Sequence, residues 1–113
     1  MTKHFENQAA QGDVFFQRVK SLPRGVKLAP VENGHFVVAH SETGHHHVID
    51  SRSAQMFIDE TNQFIAYLRV VSPAELKHLR DYDTHETLAF KPGVYKVRRQ
   101  REATPEGCRR AQD

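Results

Sequence analysis

The apolar residues of this chain recur in short alternating runs that glycine and proline separate. Residues 14–19 form the first run, and residues 21–25 end it with a proline and a glycine close together. Residues 55–59 and 63–71 form a later pair of runs. Alternation of this length is typical of half-buried β-strands, so the pattern predicts a mainly β fold.

One dipeptide predicts a tight hairpin in the first half of the chain. Asn33 and Gly34 lie between residues 26–31 and residues 35–41, two runs rich in valine. Asparagine followed by glycine tolerates the positive φ angles of a two-residue turn. Gly44 then interrupts the second run, which predicts a bulge or corner at that point.

A second turn dipeptide predicts a hairpin near the C-terminus. Pro92 and Gly93 lie between residues 84–91 and residues 94–101, and both flanking runs contain aromatic and β-branched residues. Proline followed by glycine is typical of a turn. We therefore expect the last two strands to pair with each other.

Two segments also carry helical signals. Ser72, Pro73 and Glu75 are an N-cap hydroxyl, a proline at the first helical position and an acid at the third, so they predict one short helix towards Arg80. The apolar spacing over residues 57–71 also fits a helix, which competes with the strand prediction there.

The distribution of apolar, glycine and proline residues divides the chain into three parts. Residues 1–11 are polar without periodicity and predict a flexible N-terminal arm, residues 12–102 predict a β domain, and residues 103–113 predict a basic tail. Seven or so short strands indicate a small single-domain β-barrel or sandwich with at most one short helix.

Length and composition fit one globular domain. The chain has 113 residues, of which 38% are hydrophobic and 27% are charged. Cys108 is the single cysteine, which fits a reducing compartment, and the first residues contain no apolar run of the length that a signal peptide needs. No window approaches a membrane span, and we expect a cytoplasmic protein that does not enter a membrane.

The histidines are the least average feature of the sequence. The chain has eight, and four of them lie within residues 40–47. In a strand, residues two apart project from the same face, so His45 and His47 are able to present two imidazoles to one metal ion. His46 would point the other way.

A pair of histidines needs further ligands before it forms a metal site. His85 is the strongest candidate, and the remaining candidates are His78, Asp83 and Glu42. Nitrogen and oxygen ligands of this kind suit zinc, iron, manganese or nickel, and the simplest reaction for such an ion is hydrolysis.

Two other interpretations of the cluster stay open. Consecutive histidines near a loop are often merely solvated. A histidine is also able to act as a general base without a metal when a carboxylate such as Glu42, Asp83 or Glu86 orients it. A small molecule in the mouth of a barrel is neither favoured nor excluded.

The C-terminal part of the chain is basic. Residues 91–110 carry seven Lys or Arg side chains and two Glu side chains. Charges on both faces near the end of the last strand predict that it emerges from the sheet or forms an edge. A phosphate-binding ridge is one interpretation, with Tyr95 or Tyr82 stacking on a base, and a solvated edge protected from aggregation is the other. The residues that would bind nucleic acid or a host protein are Lys96, Arg98, Arg99, Arg101, Arg109 and Arg110.

Several short motifs together resemble a group of small uncharacterised proteins of bacteria and their phages. The motifs are Gly12-Asp13-Val14, Thr43-Gly44-His45-His46-His47, His85, the run from Pro92 to Val97, and Gln100-Arg101-Glu102 with the closing Arg109-Arg110. The resemblance implies no known activity. It implies that His45, His47 and His85 belong to one site.

The HxH pair is also similar to that of cupins, which are small β-barrels whose metal ligands include two such histidines and a later one. The glutamate that follows the pair in cupins has no counterpart, because residues 48–52 contain only Asp50 as a carboxylate. The similarity therefore extends to architecture only.

Overall fold

A computed structural model describes residues 2–12, 14–39, 47–78 and 87–99. Within these residues the chain forms eleven strands in two sheets, and it contains no helix. The strands are β1 (Thr2–His4), β2 (Gln8–Gln11), β3 (Val14–Val19), β4 (Lys27–Leu28), β5 (His35–Ala39), β6 (His47–Asp50), β7 (Ala54–Ile58), β8 (Ile65–Val70), β9 (Ala74–His78), β10 (Thr87–Phe90) and β11 (Gly93–Arg99).

The strands build a two-layer sandwich, which confirms the mainly β prediction in its sandwich form. The first sheet has the order β1-β10-β9-β6-β5, and the second has the order β2-β3-β11-β8-β7-β4. The β1 and β10 pairing is parallel, and the other pairings between these strands are antiparallel.

The core lies between the two sheets. Along β8 and β11 every second residue is buried, as period-two alternation dictates for a strand with one solvated face. Four aromatic rings from both ends of the chain pack edge to face, with centroids 4.9 to 5.7 Å apart. These rings are Phe5, Phe16, Phe90 and Tyr95.

The prediction that the last strand forms an edge or leaves the sheet is wrong for residues 93–99. β11 is central, because it pairs with β3 on one side and with β8 on the other. Its cations do not prevent this: Lys96 and Arg98 lie on the outer face, and Arg99 is buried with hydrogen bonds to carbonyl groups.

The predicted turn at Asn33 and Gly34 exists, whereas the chain only bends at Pro92 before β11 begins at Gly93. Neither predicted hairpin forms as expected. Asn33 and Gly34 have the positive φ angles 54° and 83°, and a bridge between Glu32 and His35 closes the turn. The strand before the turn, β4, nevertheless pairs with β7 in the other sheet. Likewise, β10 and β11 flank Pro92 but belong to different sheets. Packing of the sandwich decides these pairings, and local turn chemistry does not.

The segments with helical signals are strands. β7 and β8 pair antiparallel, as the period-two interpretation predicts. The short helix predicted from Ser72 is wrong, since residues 74–78 form β9 between β6 and β10 and bury Ala74 and Leu76. In the described residues, no helix has the length and apolar character that crossing a bilayer requires.

The N-terminal segment differs from the flexible arm that the sequence suggests. Residues 2–4 and 8–11 form β1 and β2, which pair with β10 and β3. Phe5, between these strands, is only 8% exposed and contacts Phe90 and Tyr95. Phe5 is therefore part of the core, although the residues of β1 are themselves exposed.

Candidate functional site

One end of the sandwich collects the ends of strands from both sheets. In the first sheet, Ala39 at the end of β5 pairs with His47 at the start of β6, and His47 pairs with His78 at the end of β9. In the second sheet, Gln11 pairs with Val14, and Val14 pairs with the last residue of β11. Hydrogen bonds from Gln11 to Leu76 and His47 place these two sets of strand ends at the same end of the sandwich.

Gln11 connects the two sheets through its side-chain amide. Its Nε2 donates a hydrogen bond of 3.1 Å to the carbonyl oxygen of Leu76 in β9. Its Oε1 lies 2.7 Å from Nδ1 of His47 in β6. Both side chains are buried, with 2% of Gln11 and 6% of His47 exposed. A buried polar link of this kind is stable only because its groups have partners.

The orientation of the Gln11 amide determines the tautomer of His47. A backbone carbonyl only accepts, so the Gln11 Nε2 must face Leu76 and the Oε1 must face the imidazole. Because an amide oxygen also only accepts, His47 Nδ1 carries the hydrogen. In the neutral ring the lone pair then belongs to Nε2, which is the form that accepts a hydrogen bond or coordinates a metal through Nε2.

The local sequence explains why the side chain of residue 11 points inward. In β2 the inward positions are Ala9 and Gln11, and Gly12 follows with a φ angle of 61°. That angle is in the left-handed region that glycine tolerates, and the chain turns there into β3. Gln11 is thus the last inward residue before a tight turn.

Arg99 is the third buried polar side chain at this end, after Gln11 and His47. It is 7% exposed, its Nη1 donates to the Val38 carbonyl at 3.3 Å, and its Nη2 donates to the Gln63 carbonyl. Its Nε has no hydrogen-bond partner among the described residues. Burial lowers the pKa of the Arg99 guanidinium from its usual value. Arg99 thus joins β11 to β5 across the interior, as Gln11 joins β2 to β6 and β9.

Only part of the metal site that the sequence predicts falls on described residues. His47 begins β6 and faces the interior, and His78 ends β9 opposite it in the register. Within the described residues, no three His, Cys, Asp or Glu side chains form a group able to hold a metal ion. The remaining predicted ligands, Glu42, His45, Asp83 and His85, lie outside the described residues.

The basic residues are divided between two environments. Lys96 and Arg98 lie on the outer face of the second sheet, whereas Arg99 is buried and does not contribute to an exposed basic surface. Tyr95, a candidate for base stacking, is fully buried and donates a 2.6 Å hydrogen bond to the Lys91 carbonyl. Arg101, Arg109, Arg110 and Tyr82 lie outside the described residues.

Sequence reasoning missed Gln11. The segment before Gly12 has little apolar content, so the sequence suggests an arm rather than a strand. The sequence does contain one indication of it. Ala9 and Gln11 are two residues apart, so they share one face of a strand, and Gly12 allows a turn directly after them.

Comparison with known proteins gives one match. The model of a family described as "Domain of unknown function (DUF8820)" matches residues 10–100. No curated protein and no solved structure matches the chain.

Proposed function

We propose that this chain, which belongs to the DUF8820 family of domains of unknown function, binds a divalent metal ion at the end of the sandwich where His47 lies. The proposed ligands are His45, His47 and His85, and one of His78, Asp83 and Glu42 completes the coordination shell.

The hydrogen bond between Gln11 and His47 is the observation that carries this proposal. Histidine ligands generally donate their other ring nitrogen to an oxygen of a neighbouring group, which fixes the tautomer and the ring orientation. The 2.7 Å contact from His47 Nδ1 to Gln11 Oε1 is such an interaction, and it assigns the lone pair to Nε2. A glutamine that is 98% buried holds the ring in this state.

Chain connectivity supports the choice of partners. Residues 40–46 are joined to Ala39 and His47, and residues 79–86 are joined to His78 and Thr87; these four attachment points belong to the same end of the first sheet. Residues two apart have Cα atoms at most about 7 Å apart, which limits the distance of His45 from His47 and of His85 from Thr87. This limit on chain length supports the choice of His45 and His85 as partners of His47.

The ligand types favour zinc, iron, manganese or nickel, because imidazole and carboxylate suit all four ions. A divalent ion with an open position activates water, so hydrolysis is the first activity to test once binding is established.

Calorimetric titration of untagged, chelator-treated protein with zinc tests the proposal. We expect about one ion per chain, and at least about a 10-fold loss of affinity in His45→Ala and in His85→Ala. His35→Ala is the matched control, because His35 begins β5 at its opposite end and should leave the affinity unchanged. Equal affinity in all three variants would exclude a site built on His45 and His85.

A further inference from the structure

The outer face of the second sheet combines aromatic rings with cations. Burial alternates along β3, β7, β8 and β11, and the residues that pair across these strands share a face. The outward aromatic and cationic residues form what we call the basic aromatic face: Phe15, Phe57, Tyr67, Arg69, Lys96 and Arg98.

Aromatic and cationic residues are direct neighbours on this face. Phe15 pairs with Arg98 in the register, and Tyr67 pairs with Lys96. The guanidinium carbon of Arg69 lies 5.3 Å from the centroid of the Phe57 ring. Each ring is therefore adjacent to a positive charge.

The charge of the face has one sign. The six strands of the second sheet contain no Asp or Glu, whereas the outer positions of the first sheet mix Asp50 and Glu75 with Lys77. At the far edge of the second sheet, Glu60 forms a 3.1 Å ion pair with Lys27 of β4. Lys96 and Arg98 have no ion pair among the described residues and are available to an external anion.

A groove lies at the β2, β3 and β11 side of this face. It has a volume of about 470 Å³, and its lining includes Phe15, Gln17, Lys96 and Arg98. Phe15 is 40% exposed, so its ring is accessible to a ligand from solution.

We infer that the basic aromatic face binds single-stranded nucleic acid. Positive side chains contact the phosphates, while exposed rings stack on bases, and both kinds of group are needed for a flexible single strand. A duplex offers phosphates but keeps its bases stacked inside, so it does not use the rings. This binding is independent of the proposed metal site, because it uses the outer surface of the sheet.

Fluorescence anisotropy with labelled oligo-dT and oligo-U roughly 12 nucleotides long tests the inference on the full chain with chelator present. We expect binding that weakens between about 50 and 200 mM salt, with each neutralised cation reducing the log-log slope by about 0.7. Lys96→Gln and Arg98→Gln should show this reduction, and Lys77→Gln on the first sheet should not.

Stacking is tested separately by Phe15→Ala, which should weaken binding about 5- to 100-fold. Phe64→Ala is the matched control, because Phe64 is 37% exposed and precedes β8 outside the basic aromatic face. Circular dichroism establishes that each variant is folded. Absence of binding, equal affinity for a duplex of the same length, or full affinity in Phe15→Ala and Arg98→Gln would overturn the inference.

Discussion

The imidazole of His47 and the side-chain amide of Gln11 meet inside the sandwich, with Nδ1 and Oε1 2.7 Å apart. The contact joins β6 of one sheet to β2 of the other, and the same amide donates to the Leu76 carbonyl. Polar groups as well as apolar packing therefore connect the two sheets at this end.

Replacing Gln11 tests this link. Gln11→Leu leaves the Leu76 carbonyl and His47 Nδ1 without their described partner in a buried environment, so we expect a loss of about 1 to 3 kcal/mol in the free energy of unfolding. Urea denaturation measures it. Gln8→Leu on the same strand is exposed and should change stability by less than about 0.5 kcal/mol. Equal effects of the two changes would contradict the buried link.

The tautomer of His47 is open to direct observation. Long-range proton–nitrogen NMR correlations should show the hydrogen on Nδ1 in the metal-free protein, because Gln11 Oε1 accepts there. A hydrogen on Nε2 alone would contradict the assignment and remove its support for metal coordination through Nε2.

Arg99 should contribute to stability although it has no described ion pair. Arg99→Met removes the hydrogen-bond donors to the Val38 and Gln63 carbonyl groups and leaves those acceptors without this partner. We expect the free energy of unfolding to fall by about 1 to 3 kcal/mol. Arg98→Met, one residue earlier on the exposed face, should change stability by less than about 0.5 kcal/mol. Chemical denaturation compares the two, and a similar result for both would show that Arg99 is not a structural link.

The N-terminal segment should matter to the core. Phe5→Ala deletes a buried ring that packs edge to face on Phe90, with the ring centroids 4.9 Å apart. We therefore expect the free energy of unfolding to fall by about 3 to 5 kcal/mol. Thermal and urea denaturation measure it. An unchanged denaturation midpoint in Phe5→Ala would instead support the flexible arm that the sequence suggests.

Tyr95 predicts a specific alkaline behaviour. Burial raises the pKa of its phenol, so the folded protein keeps the proton to higher pH than the unfolded chain does. This contribution is complete below about pH 10, the ordinary value for tyrosine, and is lost as pH rises through the folded pKa. At neutral pH, Tyr95→Phe should lower the free energy of unfolding by about 1 kcal/mol, because it removes the hydrogen bond to the Lys91 carbonyl. At alkaline pH, the stability of this variant should fall less steeply than that of the unmodified protein. An equally steep fall in the variant would contradict this origin.

The sequence predicted the strands more reliably than their partners. Residues 14–19 form β3 with the predicted bounds, because alternation alone defines a strand with one buried face. The pairing of β4 with β7, and the separation of β10 from β11 into two sheets, depend on contacts between distant residues. No turn dipeptide carries that information.

The histidine cluster is visible in the sequence, whereas the buried hydrogen-bond partner of His47 is not. Histidine spacing points to a metal, but the role of Gln11 depends on a contact with a residue 36 positions away. For the same reason Arg99 was interpreted as a surface cation. Arg99 is buried because it lies on the same inward face of β11 as Tyr95 and Val97, and β11 pairs with a strand on each side.

The most direct test of the proposed function is the metal content of untagged protein. Two double variants, each lacking two histidines, are compared with the unmodified chain by elemental analysis: His45→Ala/His85→Ala and the control His4→Ala/His35→Ala. We predict about one divalent ion per chain in the unmodified protein and in the control, and none in His45→Ala/His85→Ala. Equal metal content in both double variants, or no metal in the unmodified chain after zinc supplementation, would contradict the proposal.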